Sequence, residues 1–577
     1  MIGLSAYIEE NSSLGSVAPI TLQPKWISGN RVGGKERSEV VATGDPTALW
    51  LSAEMLGRDI KILGRRGNLC WWGMIQESRI SIDGLTFGFS LEPMFNRIAV
   101  AYNELGADGS SVRYTTAWAV NQDSINRFGT KELLYSLGDG NSAQALAMRD
   151  RLLNALAWPR GVPDFGAGDA QQRSALLISI GWWQTLAWKY FQRLEGRIEY
   201  AGSTETTGIQ QAIGWGLTAS NISFSGATLT CGTTDVFTSL AAAGQIVITG
   251  SASNNGTFTL ARDGYDNGTK LEISGSFTTE SAGASVTIKL VGYYTAQQYS
   301  QAHAFELWRV GLKLDKVGSP VDSLNVEVQS DSAGSPSGTV LASCTIAAGS
   351  ISSTAGEYWI DALSNPTLSA GSNYWLVVKR TGALDALNYY LISMDTPVYA
   401  SCKAWNGATW VSQPQGQYLP FRVWGWEDTL AQLSRILTDC GQFFTGVDIQ
   451  LTSGIKTNQY RDGDSTALDE ALALIETGSS SGGRYTVTVD RDRVVHVVAE
   501  AAASESVDIL VTRSLMRYAA GGVRVNEEMP VAEWMLIDKA PMHLNNVYGL
   551  SPQFFDAVEY DVESDALSLT PKQSQVS

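Results

Sequence analysis

Charge divides this chain into two kinds of polypeptide. Between Ala201 and Gly425 there are 15 acidic and 10 basic residues in 225 positions, whereas the other 352 positions carry 74 charges, about twice the density. The middle stretch, rich in Gly, Ser, Thr, Val and aromatic residues, is compositionally a different kind of protein. Its short alternating runs between turn residues read as β-sandwich. At 577 residues the whole should hold three to five domains.

The flanks carry specific elements. Strand patterns run through Asp59–Leu63, Ser78–Ile82 and Leu85–Ser90. The Asp83-Gly84 step between the last two is a hairpin signal. A helix is predicted from Ser142 to Trp158, with Leu146, Leu153 and Leu156 on its buried stripe and Pro159 ending it. A second is predicted from Asp428, through Leu430, Leu433, Leu437 and Cys440 to a Gly441 cap. A third begins near Ser465, with Thr466 and Asp469 as a capping pair, Leu468, Leu472 and Ile475 buried, and Gly478 closing it. Tyr485–Val489 and the valines around His496 then form a hairpin about Asp490–Arg493.

Composition excludes several function classes. With 44% hydrophobic and 17% charged residues the chain is not a disordered protein. A net charge of −17 argues against a surface built to grip phosphates. Cys70, Cys231, Cys344, Cys402 and Cys440 form no C-x-x-C pair, so neither a disulfide framework nor a cysteine-rich zinc site is expected. His303, His496 and His543 are too far apart in sequence for a local metal motif. The N-terminus lacks a basic, apolar leader, and no apolar run reaches membrane-helix length. The expectation is a soluble chain made in the cytoplasm.

Each candidate for chemistry has a plainer reading. Asp263 to Gly268 resembles a calcium loop but has standard turn composition. Gly478 to Gly482 matches the letters of a nucleophile elbow, yet the helix precedes it and the strand follows, the reverse of what an elbow needs. Glu427-Asp428 sits at a helix N-terminus, where acidic groups favour the dipole. His496 reads as a half-buried strand residue. No catalytic, cofactor-binding or metal-ligating set is assigned. The aromatics remain. Trp405 and Trp410 flank an Asn-Gly turn, with Tyr358-Trp359 and Tyr374-Trp375 upstream. The pair either stacks on sugar rings as a glycan-contacting platform or packs across a hairpin, and the packing role is favoured.

The order of several motifs then resembles a known family. Trp71-Trp72-Gly73 through Gln76, Glu92 through Asn96-Arg97 to Tyr102, Thr115 to Trp118, Ser124 to Gly129 and Glu132, and Gly181 to Tyr190 are similar to the N-terminal part of tail hub (baseplate hub) proteins of long-tailed, siphovirus-like bacteriophages. Gln459 to Leu468, the helix after it and the Asp490–Arg493 hairpin resemble the family's closing half. Together these segments span about residues 1–200 and 425–577. Between them, Gly244 to Thr259 resembles a small β-sandwich module of phage tails. Ser332 to Leu341 with Leu368 to Val377 resembles a carbohydrate-binding-type jelly roll.

The resemblance implies a multidomain, β-rich α+β chain: tail-tube-like β-barrel hub domains with helices, interrupted by two inserted β-sandwich domains. The expected divisions are 1–120 and 121–200 for the first hub parts, 201–290 and 291–425 for the insertions, and 426–577 for the closing hub part. The implied function is structural rather than enzymatic, a virion protein at the tail tip. A homotrimer would close the distal end of the tail tube and meet distal tail proteins, the tape-measure end and a central fibre or tail-tip proteins. DNA would pass through its channel without specific binding, and the insertions would contact host-surface polysaccharide. Two other readings stay open, a carbohydrate-active enzyme with a binding module and a peripheral receptor-binding tail protein.

Overall fold

The computed structural model describes residues 4–9, 20–30, 32–64, 69–105, 111–164, 173–200, 210–238, 240, 242–395, 401–413, 417–450, 454–478 and 485–499. Beyond residue 500 it describes the strands at 507–508, 516–519, 522–526, 543–545, 553–561 and 566–571. The chain is β-rich, built from several sheets with few helices. It divides into two units. One holds Met1–Gln192, Asp428–Lys456 and Arg461–Ser577; the other holds Arg193–Glu427 and Thr457–Tyr460.

The first unit is organised by one continuous ladder. Ser5–Ile8 pairs with Asp59–Leu63, which pairs with the long strand Leu69–Ile82. That strand turns at Asp83-Gly84, both with positive φ, into Leu85–Ser90, as the Asp-Gly signal predicts. On its other side it pairs with Arg173–Ile180, and the ladder continues through Val32–Thr43 and Thr21–Asn30 to Gln553–Asp561. The two ends of the chain therefore share one sheet. Ile60, Ile62, Trp71, Val40 and Leu177 from this ladder enter one core with Leu433, Leu437, Ala471 and Val497 from the segment after residue 428.

A smaller sheet stands on this frame. Arg97–Leu105 runs parallel to Glu132–Asp139, with the helix Gln122–Phe128 in the connection, and antiparallel to Ser111–Thr115. The helix Ser142–Leu156 packs on it. Its N-terminus is a reciprocal capping box of Asn141 and Gln144, which the apolar spacing alone does not reveal. The buried contact is Ala145 against Val100 and Tyr102, while Leu146, expected on the stripe, is exposed.

The later helices form where the sequence places them. Asp428 caps Thr429–Cys440, its Oδ1 accepting the Leu430 N–H at 2.8 Å. Gly441 follows, but its φ is −78°. A Cβ there would lie 2.2 Å from the Leu437 carbonyl and 2.3 Å from Phe444, so glycine provides room rather than a left-handed turn. Thr466 caps Ala467–Thr477, and its Oγ1 accepts the Asp469 N–H at 3.2 Å. That helix buries Ala467, Ala471, Leu474 and Ile475, leaving Leu468 and Leu472 half-buried. Tyr485–Val489 and Val494–Ala499 are the expected hairpin, and Gly446–Ile449 lies parallel beside the latter strand.

The second unit contains two large cores among the described residues. Gly216–Ala219, Ile222–Cys231, Gln245–Thr249, Gly256–Tyr265, Lys270–Glu280 and Val286–Leu290 form a six-stranded sheet around Trp215, Phe224, Phe237 and Leu271. The other core is shared by two sheets. One includes Arg197–Tyr200, Phe421–Asp428, Phe305–Val317, Gly356–Asp361 and Tyr389–Ser393. The other includes Ser335–Ile346, Leu324–Ser332, Asn373–Arg380, Thr295–Ser300, Cys402–Trp405 and Trp410–Ser412. Val310, Leu312 and Val423 meet Val326, Val328 and Leu376 between them. Period-2 alternation explains this, since every second residue of each strand points into the shared core.

Candidate functional site

Two of the motifs, Glu92 to Tyr102 and Ser124 to Glu132, meet at one buried junction in the first unit, where Gln442 and Phe443 join them. Asn96, fully buried, uses three bonds of its carboxamide. Its Nδ2 donates to Ser124 Oγ (3.2 Å) and the Gly129 carbonyl (2.8 Å), and its Oδ1 accepts the Lys131 N–H (2.8 Å). Ser124 Oγ in turn donates to the Ala157 carbonyl. The Thr130 backbone is held at both ends by Gln442. Oε1 accepts the Thr130 N–H and Nε2 donates to the Thr130 carbonyl, each at 2.7 Å. Gly129 has φ +81°, and a Cβ there would stand 2.5 Å from Phe443. A buried polar group without partners is costly, and here the loop's groups are paired by residues from both halves of the chain.

Lys131 lies within this junction. Its Nζ donates to the Leu91 and Glu92 carbonyls at 2.8 and 2.6 Å and sits 5.0 and 5.3 Å from the Phe95 and Trp188 ring centres. Burial pushes its pKa down to about 8, with the Glu92 carboxylate opposing. The neighbouring Glu132 is raised by burial, against the Tyr190 N–H and the Arg97 guanidinium that bind it at 2.7 and 2.8 Å. The perturbed pair resembles acid–base machinery in its titration only. Both groups are already bonded to backbone and ion-pair partners, so what the arrangement does is lock a loop. Trp72 adds a further link, its indole N–H donating to the Val489 carbonyl at 3.2 Å.

His496 has partners that its strand position did not suggest. Its Nδ1 lies 3.0 Å from Asp448 Oδ2 and its Nε2 3.0 Å from Asp490 Oδ2. Asp448 is its register partner on the parallel strand. Burial opposes charge on the ring, but the bonds and charges of Asp490 and Asp448 outweigh it and raise the imidazole pKa. Next to it, Arg493 pairs with Asp59 and lies 4.3 Å from the Trp182 ring centre, tying the hairpin turn to the first ladder.

The other candidates resolve into local structure. Asp266, Asn267 and Gly268 have the positive φ of a turn, and Asp266 pairs with Lys270 at 2.6 Å. Asp428 is the helix cap described above and also accepts the Gly454 N–H. Glu427 pairs with Arg193. The stretch Ser479–Gly482 of the elbow-like segment lies outside the described residues. His303 is exposed.

Trp405 and Trp410 are directly opposed across the hairpin, with ring centres 5.2 Å apart and planes at 62°. Asn406 closes the turn by accepting the Ala408 and Thr409 N–H groups at 2.9 and 2.8 Å. Both indoles are half-buried, and Trp410 packs on a small outer cluster of Ala296, Trp375 and Val377. Trp375 is fully buried and donates to Asp331 Oδ1 at 2.6 Å, which holds that carboxyl below its usual range. Gln298 bonds the same carboxylate at 3.2 Å. This sheet face is therefore an aromatic strip beside a polar ladder in which Glu327 takes Gln329, Asn325 and Lys379. No protein-family model matches the chain, and no curated protein matches it.

Proposed function

We propose that the chain is a structural hub at the tip of a long-tailed phage tail, in which the first unit forms the ring and the second is an inserted appendage. The observation that supports this reading is the interlock of the two flanks over which the hub-like motifs are spread, about residues 1–200 and 425–577. Thr130 is clamped by Gln442, Phe443 closes over Gly129, Trp72 bonds Val489 and Arg493 pairs with Asp59. Residues of the hub-like motifs (Trp72, Gly129, Thr130 and Arg493) thus help join distant segments into one body.

The finer architecture follows from the same reading. The continuous ladder of the first unit is the tail-tube-like barrel element. The two-sheet core of the second is the jelly-roll module, which contacts host-surface glycan. Outside 201–425 the chain has 43 acidic and 31 basic residues. In a channel that DNA must traverse, this excess belongs on the inner wall, since Lys and Arg contacts to phosphate would retard passage. Mass measurement of the purified chain, alone and with tail-tube protein, tests the assembly. A trimer in either condition is expected, and a strict monomer in both contradicts the reading.

A further inference from the structure

In the second unit, the sheet that holds Phe305–Val317, Gly356–Asp361 and Phe421–Asp428 has an outward face whose composition its fold does not require. An antiparallel sheet with one face on a core normally turns polar residues outward. Here the cross-strand rows can be read from the register. One row is Arg197, Trp424, Arg309 and Asp361, and the next places Arg422, Gly311 and Trp359 side by side. Their sequence neighbours Val423, Val310 and Ile360 point into the core, so these residues point out.

Gly311 organises the face. A Cβ there would stand 3.1–3.2 Å from the six-membered ring of Trp359, so that indole lies over the bare strand. It thereby reaches Trp424, with ring centres 4.4 Å apart and planes at 50°. Around the pair, Arg309 bonds Asp361 at 3.0–3.1 Å and lies 3.7 Å from the Trp308 ring centre. Arg422 pairs with Glu357 and lies 5.9 Å from the Trp359 ring centre. Asp361 is 68% exposed and Glu357 46%, so both carboxylates keep lone pairs toward solvent. Trp424 Nε1 is buried without a hydrogen-bond partner.

We infer that this face is a binding site for a neutral saccharide, centred on Trp359 and Trp424. The inference rests on the proposed role of the second unit in glycan contact and gives that contact a place. Indole faces attract the C–H side of a sugar ring through their negative quadrupole. Two ion pairs beside the indoles, Arg309–Asp361 and Arg422–Glu357, offer guanidinium donors and carboxylate acceptors to hydroxyl groups. The indole seated on Gly311 is pre-positioned, which limits the ordering cost of binding.

Calorimetric titration of the full chain tests this, with cellopentaose, maltopentaose and chitopentaose as neutral probes and polygalacturonate as the anionic one. At least one neutral probe should bind. Trp359→Ala and Gly311→Val should each weaken it by about tenfold or more, the scale of a lost stacking contact. Trp359→Phe should retain most of the binding, and urea midpoints should show that the variants are folded. If the wild type binds none of the neutral probes, the glycan reading of the second unit fails with the site. If a neutral probe binds but a folded Trp359→Ala variant binds it equally, only this placement fails. Preference for polygalacturonate overturns the neutral class.

Discussion

The side chain of Gln442 satisfies both backbone groups of Thr130 across 312 residues of sequence, accepting its N–H and donating to its carbonyl at 2.7 Å each. One carboxamide therefore holds the loop after Gly129 to the segment that follows the second unit in the chain. Gln442→Ala removes both bonds and leaves two partly buried backbone groups unsatisfied. The expected loss is about 1–3 kcal/mol, read from the urea unfolding midpoint. An unchanged midpoint would mean that the clamp contributes nothing to the first unit.

Lys131 gives a pH dependence with a definite sign. Its folded pKa of about 8 lies below the unfolded value of about 10.4, so the unfolded chain binds more protons between them. The cost of burying the ammonium is present below pH 8 and is relieved as pH rises toward 10. A neutral amine still has two N–H bonds for the Leu91 and Glu92 carbonyls. Relative to a Lys131→Met variant, the wild type should therefore gain stability across this window, by up to about 3 kcal/mol. Parallel curves for the two proteins would contradict the assignment.

His496 titrates the other way. A neutral imidazole has one N–H, yet both ring nitrogens face carboxylate oxygens at 3.0 Å, so the arrangement suits the imidazolium. With the pKa raised, its contribution is full below about pH 6.5, the unfolded value, and is lost as pH rises through the folded value. His496→Asn should thus be more destabilising at pH 5.5 than at pH 8.5. Nuclear magnetic resonance titration of the ring protons should place the transition above the value of a free histidine. A value at or below it would refute the two-carboxylate pairing.

Trp410 and Trp405 separate packing from contact. Trp410 is half-buried on Ala296, Trp375 and Val377, so Trp410→Ala should cost about 1–2 kcal/mol, part of the full burial value of a large side chain. With sugar contact centred on Trp359, the double replacement of Trp405 and Trp410 should lower the melting temperature while leaving saccharide affinity within about twofold, a fraction of one contact. Lost affinity with unchanged melting would move the contact to the hairpin.

The existence of these elements was legible in the sequence, but the faces they bury were offset. Leucine spacing predicts helices at 142–158, from 428 to 441 and from 465 to 478, and they form at 142–156, 429–440 and 467–477. The first and third turn small residues to their neighbours instead, Ala145 for Leu146 and Ala467 and Ala471 for Leu468 and Leu472. At the closest approach of a helix to its neighbour an alanine fits where a leucine does not, and hydrophobic period alone weights the larger side chain. The junction was legible only on one side. Asn96, Gly129 and Lys131 were visible as a motif, but Gln442 meets them only through the fold. Asp448 likewise reaches His496 by parallel pairing, which leaves no local signature. The Trp359 face carried a faint one in the outward alternation of Glu357, Trp359 and Asp361, whose meaning depends on Gly311 in the next strand.

The hub reading is tested most directly by electron microscopy of the purified full chain. Rings of three copies around a central channel are expected. Particles of a single copy with no rotational symmetry, both for the chain alone and after mixing with tail-tube protein, would contradict the hub reading.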